Sequence, residues 1–175
     1  MKRLALKLAV FLLVAVLANL LTVAALPRLI NLYVLHKIAV IAGGENRPLP
    51  APRADANART VVRPSPDLLY TACVYDVSER PLHITAPAQE SYVSISGFAA
   101  DTHNFFAIDN ADGKKNFDLI LAREGAGVTS ATAQVIAAPS ARGLILFRSL
   151  ISSEAELPRL QRDFQSRQSC APYAP

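Results

Sequence analysis

The chain has no acidic residue before Glu45, only two cysteines among 175 residues, and only three histidines. Each shortage excludes something. Two cysteines with no C-x-x-C exclude a four-thiolate zinc site and a thioredoxin-type redox motif. His36, His83 and His103 share no metal-ligand spacing and form no H-E-x-x-H pair, so no metal site is expected. G-x-x-x-x-G-K-[ST], S-x-x-K and G-x-S-x-G are all missing, and Ser94-Ile95-Ser96-Gly97 is no nucleophile elbow. No catalytic residue and no cofactor are assigned.

The missing acids sharpen what stands in their place. Lys2, Arg3 and Lys7 precede nineteen uncharged residues, Leu8 to Leu26, in which Asn19 and Thr22 are the polar members. About 20 apolar residues cross a bilayer core of roughly 30 Å. A cleaved signal has a shorter apolar region, roughly 7–15 residues, ending at small residues such as Val23-Ala24-Ala25. Length favours a retained anchor over that alternative. Basic flanks stay cytoplasmic, so Met1 to Lys7 are expected inside and everything after Pro27 outside. The net charge of +4 is not a nucleic-acid footprint. Setting aside Lys2, Arg3, Lys7 and Arg28 leaves 14 basic residues against 14 acidic ones, whereas a nucleic-acid binder carries its cations on the folded part.

Four regions follow from the patterning: residues 1–27 as cytoplasmic flank and anchor, 28–42 as a juxtamembrane helix, 43–66 as a Pro-rich linker, and 67–175 as a β-rich domain. In the second, Leu29, Leu32, Tyr33, His36 and Val40 share one helical face, widened by Leu35 and Ile38. Gly43-Gly44 stops that helix. It either continues the anchor through a kink at Pro27, lies along the membrane boundary, or packs on the later domain. Pro48, Pro50, Pro52, Pro64 and Pro66 stiffen the linker.

Strand-like runs then come in close succession at 68–77, 81–86, 92–99, 104–109, 117–122, 133–137 and 143–150, each bounded by Pro, Gly, Asn or Asp. This predicts a mainly β fold, a small antiparallel sandwich or barrel-like domain. Residues 154–167 read as a C-terminal helix. Ser152-Ser153 are its cap, Glu154 and Glu156 suit its start, and Pro158 is tolerable in its first turn. Asp109-Asn110-Ala111-Asp112-Gly113 begins like a calcium loop. Its twelfth position is Ile120 rather than Glu, so a hairpin turn is expected there.

Cys73 lies in a strand and Cys170 in a polar tail. In an oxidising compartment such a pair forms a bridge. Candidate binding residues are Tyr70 and Tyr92, as walls of a groove, and Asp101 beside His103, where a carboxylate can orient a base. Asx bonding within a polar loop is the simpler account of the last two.

The run Pro64-Ser65-Pro66-Asp67-Leu68-Leu69-Tyr70-Thr71 resembles the Pro-Asn-x-Asp-Thr-Leu-Tyr-Ser block of a bacterial family, domain of unknown function 1254. Tyr75 to Pro81, Tyr92-Val93-Ser94 and Asp101 to Phe105 resemble its next blocks. Ser65 and Leu68 depart from the family's Asn and Thr. The resemblance implies a bacterial protein, hence an inner-membrane anchor with a periplasmic domain. Larger members carry a second β-rich domain. The expectation is an interaction module that assembles with a β-rich, membrane-associated subunit and exposes an apolar surface for it. The alternative is a hydrolase or small-ligand binder using Tyr70, Asp101 and His103.

Overall fold

The computed structural model describes residues 2–58, 64–111, 113, 116 and 117–174. One helix, α1 (Lys2–Ala42), leads into nine strands: β1 (Pro48–Pro50), β2 (Leu68–Asp76), β3 (Leu82–Ala86), β4 (Val93–Ala99), β5 (Asn104–Asp109), β6 (Phe117–Arg123), β7 (Gln134–Ala138), β8 (Arg142–Leu150) and β9 (Ser169–Pro172). They form two sheets, ordered β1-β2-β8-β4-β5 and β7-β6-β3-β9. The result is a sandwich and not a closed barrel. All seven anticipated strands are present within a residue or two.

Alternation makes the core. Along β2, Leu69, Thr71, Cys73 and Tyr75 point inward, and on β8 Gly143, Ile145, Phe147 and Ser149 do the same. Leu82, Ile84, Leu119 and Leu121 answer from the second sheet. Period-two burial of this kind hides one face of each strand. Cys73 and Cys170 are bridged inside this core, linking β2 of one sheet to β9 of the other, with Cα atoms 6.6 Å apart and a sequence separation of 97. By the chain-entropy argument, closing such a loop stabilises by about 4–5 kcal/mol.

Two glycines are dictated by space. A Cβ on Gly97 would meet the Phe106 ring at 2.2 Å, and one on Gly143 would meet the Phe98 carbonyl oxygen at 2.2 Å.

Several expectations need correcting. Of the readings for residues 28–42, continuation of the anchor and packing on the domain both hold, and the boundary drawn at Pro27 does not, because α1 runs through Pro27. Proline leaves the Val23 carbonyl without its N–H donor, and Arg28 Nη1 reaches back to the Ala24 carbonyl at 2.7 Å. The face turned to the domain is Asn31, Leu35, Ile38 and Ala42, while Leu29, Leu32, Tyr33 and Val40 stay exposed. The 43–66 segment is not a free linker, since β1 pairs antiparallel with β2; its residues 59–63 lie outside the described residues. Asp109 to Gly113 is no hairpin, because β5 and β6 belong to different sheets. Asp112 of that run is outside the described residues. The sandwich is not purely antiparallel, as β6 and β7 run parallel. The C-terminal helical stretch mixes 3₁₀, α and π turns, and Ser153 makes no side-chain cap.

At about 60 Å, α1 is twice as long as a bilayer core is thick. It is apolar enough to cross one by composition. It ends in a Schellman motif: Gly44 N–H bonds Ala39 O at 2.8 Å, Gly43 N–H bonds Val40 O at 3.2 Å, and Gly43 sits at φ +77°, where glycine carries no Cβ penalty.

Candidate functional site

Three places on the sandwich gather polar groups. The first joins helix to domain. Just past the α1 cap, Asn46 bonds β2 like a short extra strand: its N–H donates to Val74 O at 2.8 Å, its Nδ2 to Asp76 O at 2.8 Å, and its Oδ1 accepts from Asp76 N–H at 2.7 Å. Arg142, the register partner of Asp76 on β8, donates from Nε to Asp76 Oδ2 at 2.7 Å and approaches Glu45 at 3.3 Å. Burial pushes the Asp76 carboxyl up, but hydrogen bonds from Ser78 and Arg142 outweigh it and hold Asp76 at about 2. Glu45 goes the other way: burial raises it and the neighbouring Asp76 adds to that, against the pull of Arg142. These groups line an open cleft of about 600 Å³ with Glu79, Arg80 and Pro172.

The second is the Asp101–His103 pair in the β4–β5 turn. His103 Nδ1 and Asp101 Oδ1 are 2.9 Å apart, and the same carboxylate accepts the His103 backbone N–H at 3.3 Å. Hydrogen bonds from His103 hold the Asp101 carboxyl below its ordinary range. Both side chains are exposed, and no third hydrogen-bonding group is lined up behind them among the described residues.

The third lies on the outer face of the five-stranded sheet, at its other end. Tyr70 on β2, Arg148 on β8 and Ser94 on β4 are in register across three adjacent strands. Arg148 Nη2 donates to Ser96 Oγ at 2.9 Å. Among the described residues Arg148 Nε and Ser94 Oγ are buried with no hydrogen-bond partner, and Ser94 is only 4 % exposed. The Tyr70 hydroxyl accepts the Ser65 N–H at 3.0 Å. Tyr92 stands exposed one residue ahead of β4, its carbonyl accepting Leu150 N–H at 2.8 Å.

The predicted site residues are therefore split. Tyr70 and Tyr92 share a face and an end of the sheet. Asp101 and His103 are at the opposite end, six register steps along β8, or about 20 Å. No single cleft holds Tyr70, Asp101 and His103. Sequence reasoning missed Arg148, Arg142, Glu45 and Asn46. One signal was available for both arginines of β8: Arg142 and Arg148 share the alternate positions of a strand with Leu144, Leu146 and Leu150. Among the described residues, no group of three or more His, Cys, Asp or Glu could hold a metal ion.

Such a protein is a two-sheet sandwich fastened to the end of a long apolar helix. The family described as Protein of unknown function (DUF1254) matches residues 46–172, and the chain belongs to it. Among solved structures, the sandwich is similar to the VPA0106 protein from Vibrio parahaemolyticus, with a TM-score of 0.54 and 15 % identity over 61 % of this chain and 28 % of that one. A putative uncharacterized protein from Burkholderia cenocepacia is similar at 14 % identity, with a TM-score of 0.45 over 67 % of this chain and 36 % of that one. The chain thus spans about a third or less of the length of the solved proteins it matches. No curated protein matches it.

Proposed function

We propose that this protein is a single-pass inner-membrane protein with its sandwich in the periplasm, and that the sandwich is an interaction module for a β-rich, membrane-associated partner. The observation that carries the proposal is the free edge of β5. Among the described residues this strand pairs with β4 alone, and β7 (Gln-Val-Ile-Ala-Ala), paired with β6, is the other edge without proline or lysine. A strand edge offers unpaired backbone donors and acceptors to an incoming strand. β1 carries Pro48 and Pro50, and β9 ends at Pro172; proline blunts an edge. β5 (Asn-Phe-Phe-Ala-Ile-Asp) has neither proline nor lysine.

Its position suits a partner at the bilayer. Asn31 Nδ2 donates to the Ala100 carbonyl at 2.8 Å, past the end of β4, whereas the C-terminal end of α1 meets β2 and β1. α1 therefore runs from the β4–β5 turn to β2 and β1, and its first thirty residues precede the Asn31 contact with that turn. The expected apolar face is not what the sandwich offers. Among the described residues after α1, Tyr92 and Val135 are the only exposed large hydrophobics, so the edge takes the place of a patch. The buried disulfide supports an oxidising compartment.

Ala107 is exposed on β5, so Ala107→Lys should leave the fold and disulfide intact. Purification in mild detergent should bring down a β-rich membrane subunit with the wild type and lose it with Ala107→Lys. An identical set of co-purifying proteins would reject the edge. A cytoplasm-only reporter fused after Pro175 should be silent; strong activity would reject the orientation.

A second reading, a small-ligand binder, has one observation behind it: Arg148 has no carboxylate partner among the described residues and adjoins the orphan Ser94 hydroxyl, a pairing suited to a carboxylate.

A further inference from the structure

We infer that α1 pairs in parallel with the α1 of a second copy of this chain, along a seam centred on Asn19. The inference rests on the membrane-anchor proposal, because it places Asn19 in the hydrocarbon. Lipid offers nothing to bond an amide, and polar side chains there find partners on neighbouring helices. Thr22 satisfies itself, donating to the Ala18 carbonyl at 2.8 Å. Asn19 does not: its side-chain amide has no hydrogen-bond partner among the described residues.

The residues around it have the spacing of a two-stranded coil. Leu12, Asn19, Leu26, Tyr33 and Val40 recur every seven positions. Val16, Val23 and Ile30 stand four after the first three. β-Branched residues at one seam position and leucine at the other favour two strands, and Asn19, standing at the leucine position, can meet its counterpart across the seam. Every apolar member of that seam is half exposed or more in the single chain.

The rest of the helix agrees with this choice. Arg28 lies on the opposite side, and Lys7 lies off the seam as well. Asn31, Leu35, Ile38 and Ala42, which meet the domain, lie on a different face, so the sandwich does not cover the seam. The seam continues past the anchor to Tyr33 and Val40, where exposed apolar side chains in water mark an interaction surface. Lys37 falls on its outer end, held 5.3 Å from the centroid of the Tyr33 ring. A second copy is the occupant that fits. Both copies cross the bilayer in one direction, and an amide is complementary to itself, Nδ2 of each donating to Oδ1 of the other.

The test uses the full chain in bacterial membranes. The native cysteines are joined to each other, so an added cysteine supplies the only free thiol. Oxidation should crosslink Val16→Cys and Val23→Cys to dimers and leave Val14→Cys and Leu21→Cys, on the far side, monomeric. Asn19→Leu should lower the dimer fraction about threefold to tenfold, and Asn19→Gln should restore most of it. Crosslinking that ignores position, monomer at every position, or an unchanged Asn19→Leu would overturn the seam while leaving the anchor standing. Recovery of the chain in the soluble fraction after a carbonate wash would overturn the anchor, and the seam with it.

Discussion

The two ends of the five-stranded sheet treat charge in opposite ways. At the helix end, Arg142 is matched by Asp76 and Glu45, and Asn46 closes three hydrogen bonds onto β2. Six residues along the same strand, Arg148 has one serine hydroxyl, a buried Nε without a partner, and no acid among the described residues. Burying polar groups is costly unless they are bonded. One end therefore holds the sandwich rigidly at the end of α1. The other carries buried polar atoms with no partner among the described residues.

The comparison predicts different responses to substitution, and the largest is at the helix end. Gly143 sits in register between Tyr75 and Ala99. A methyl group there collides with the Phe98 carbonyl and the Tyr75 hydroxyl. Neither can yield cheaply, the first being backbone and the second belonging to a fully buried ring. Gly143→Ala should cost about 3 kcal/mol, at the upper end of overpacking effects. Chemical denaturation of the full chain in detergent measures it. A loss below about 0.5 kcal/mol would show that the helix end is not tightly packed.

Asp76→Asn comes next. It removes the charge from the hydrogen bonds made by Arg142 and Ser78 and should cost about 1–2 kcal/mol. The pH dependence separates this from a packing defect. Asp76 falls from its ordinary 3.8 to about 2 in the fold. A depressed carboxyl stabilises above the unfolded value and loses that contribution as pH falls. Wild-type stability should therefore drop as pH falls from about 4 to 2, and the Asp76→Asn profile should be flatter there. Glu45 is raised, so its contribution has the opposite sign and is lost as pH rises through its folded value. If the two profiles run parallel through the acid limb, Asp76 does not carry the pH dependence.

Much of the sandwich was legible because period-two burial is written locally: Leu69, Thr71, Cys73 and Tyr75 alternate whatever they pair with. Pairing is not local. Asp-Gly after β5 carries a hairpin signal, yet the chain crosses to the other sheet there, since β5 closes on β4 while β6 closes on β3 and β7. β1 and β9 were hidden because proline argues against strands, and both strands are edges, where proline is tolerated. Gly43-Gly44 predicted the end of α1, but Pro27 did not end it. The disulfide followed from the oxidising compartment expected beyond the anchor. The polar site was legible only in part. Tyr70 and Tyr92 do share a face. Sequence proximity correctly placed Asp101 beside His103, but it carried no information on which end of the sheet they occupy. Arg142 and Glu45 are 97 positions apart, a separation that no local pattern spans.

The smallest effect is the one that decides the comparison. At the helix end, replacing Arg142 by methionine removes hydrogen bonds from Asp76 and leaves that carboxylate without its cation. At the far end, Arg148→Met removes a cation that has no anion to abandon among the described residues, where the Ser96 hydroxyl is the one hydrogen-bond partner it leaves behind. An unpaired charge replaced by an apolar chain of similar length is neutral or stabilising where the charge was already poorly compensated. Arg142→Met should therefore lose about 1 kcal/mol, a modest figure because this side chain is largely exposed. Arg148→Met should stay within about 0.5 kcal/mol of wild type or exceed it. The two variants delete the same functional group on the same strand, so the sign of the difference between them reports what each arginine is for. Equal losses would mean that Arg148 supports the fold as Arg142 does. A neutral Arg148→Met would leave function, not folding, as the reason a charge is kept among leucines.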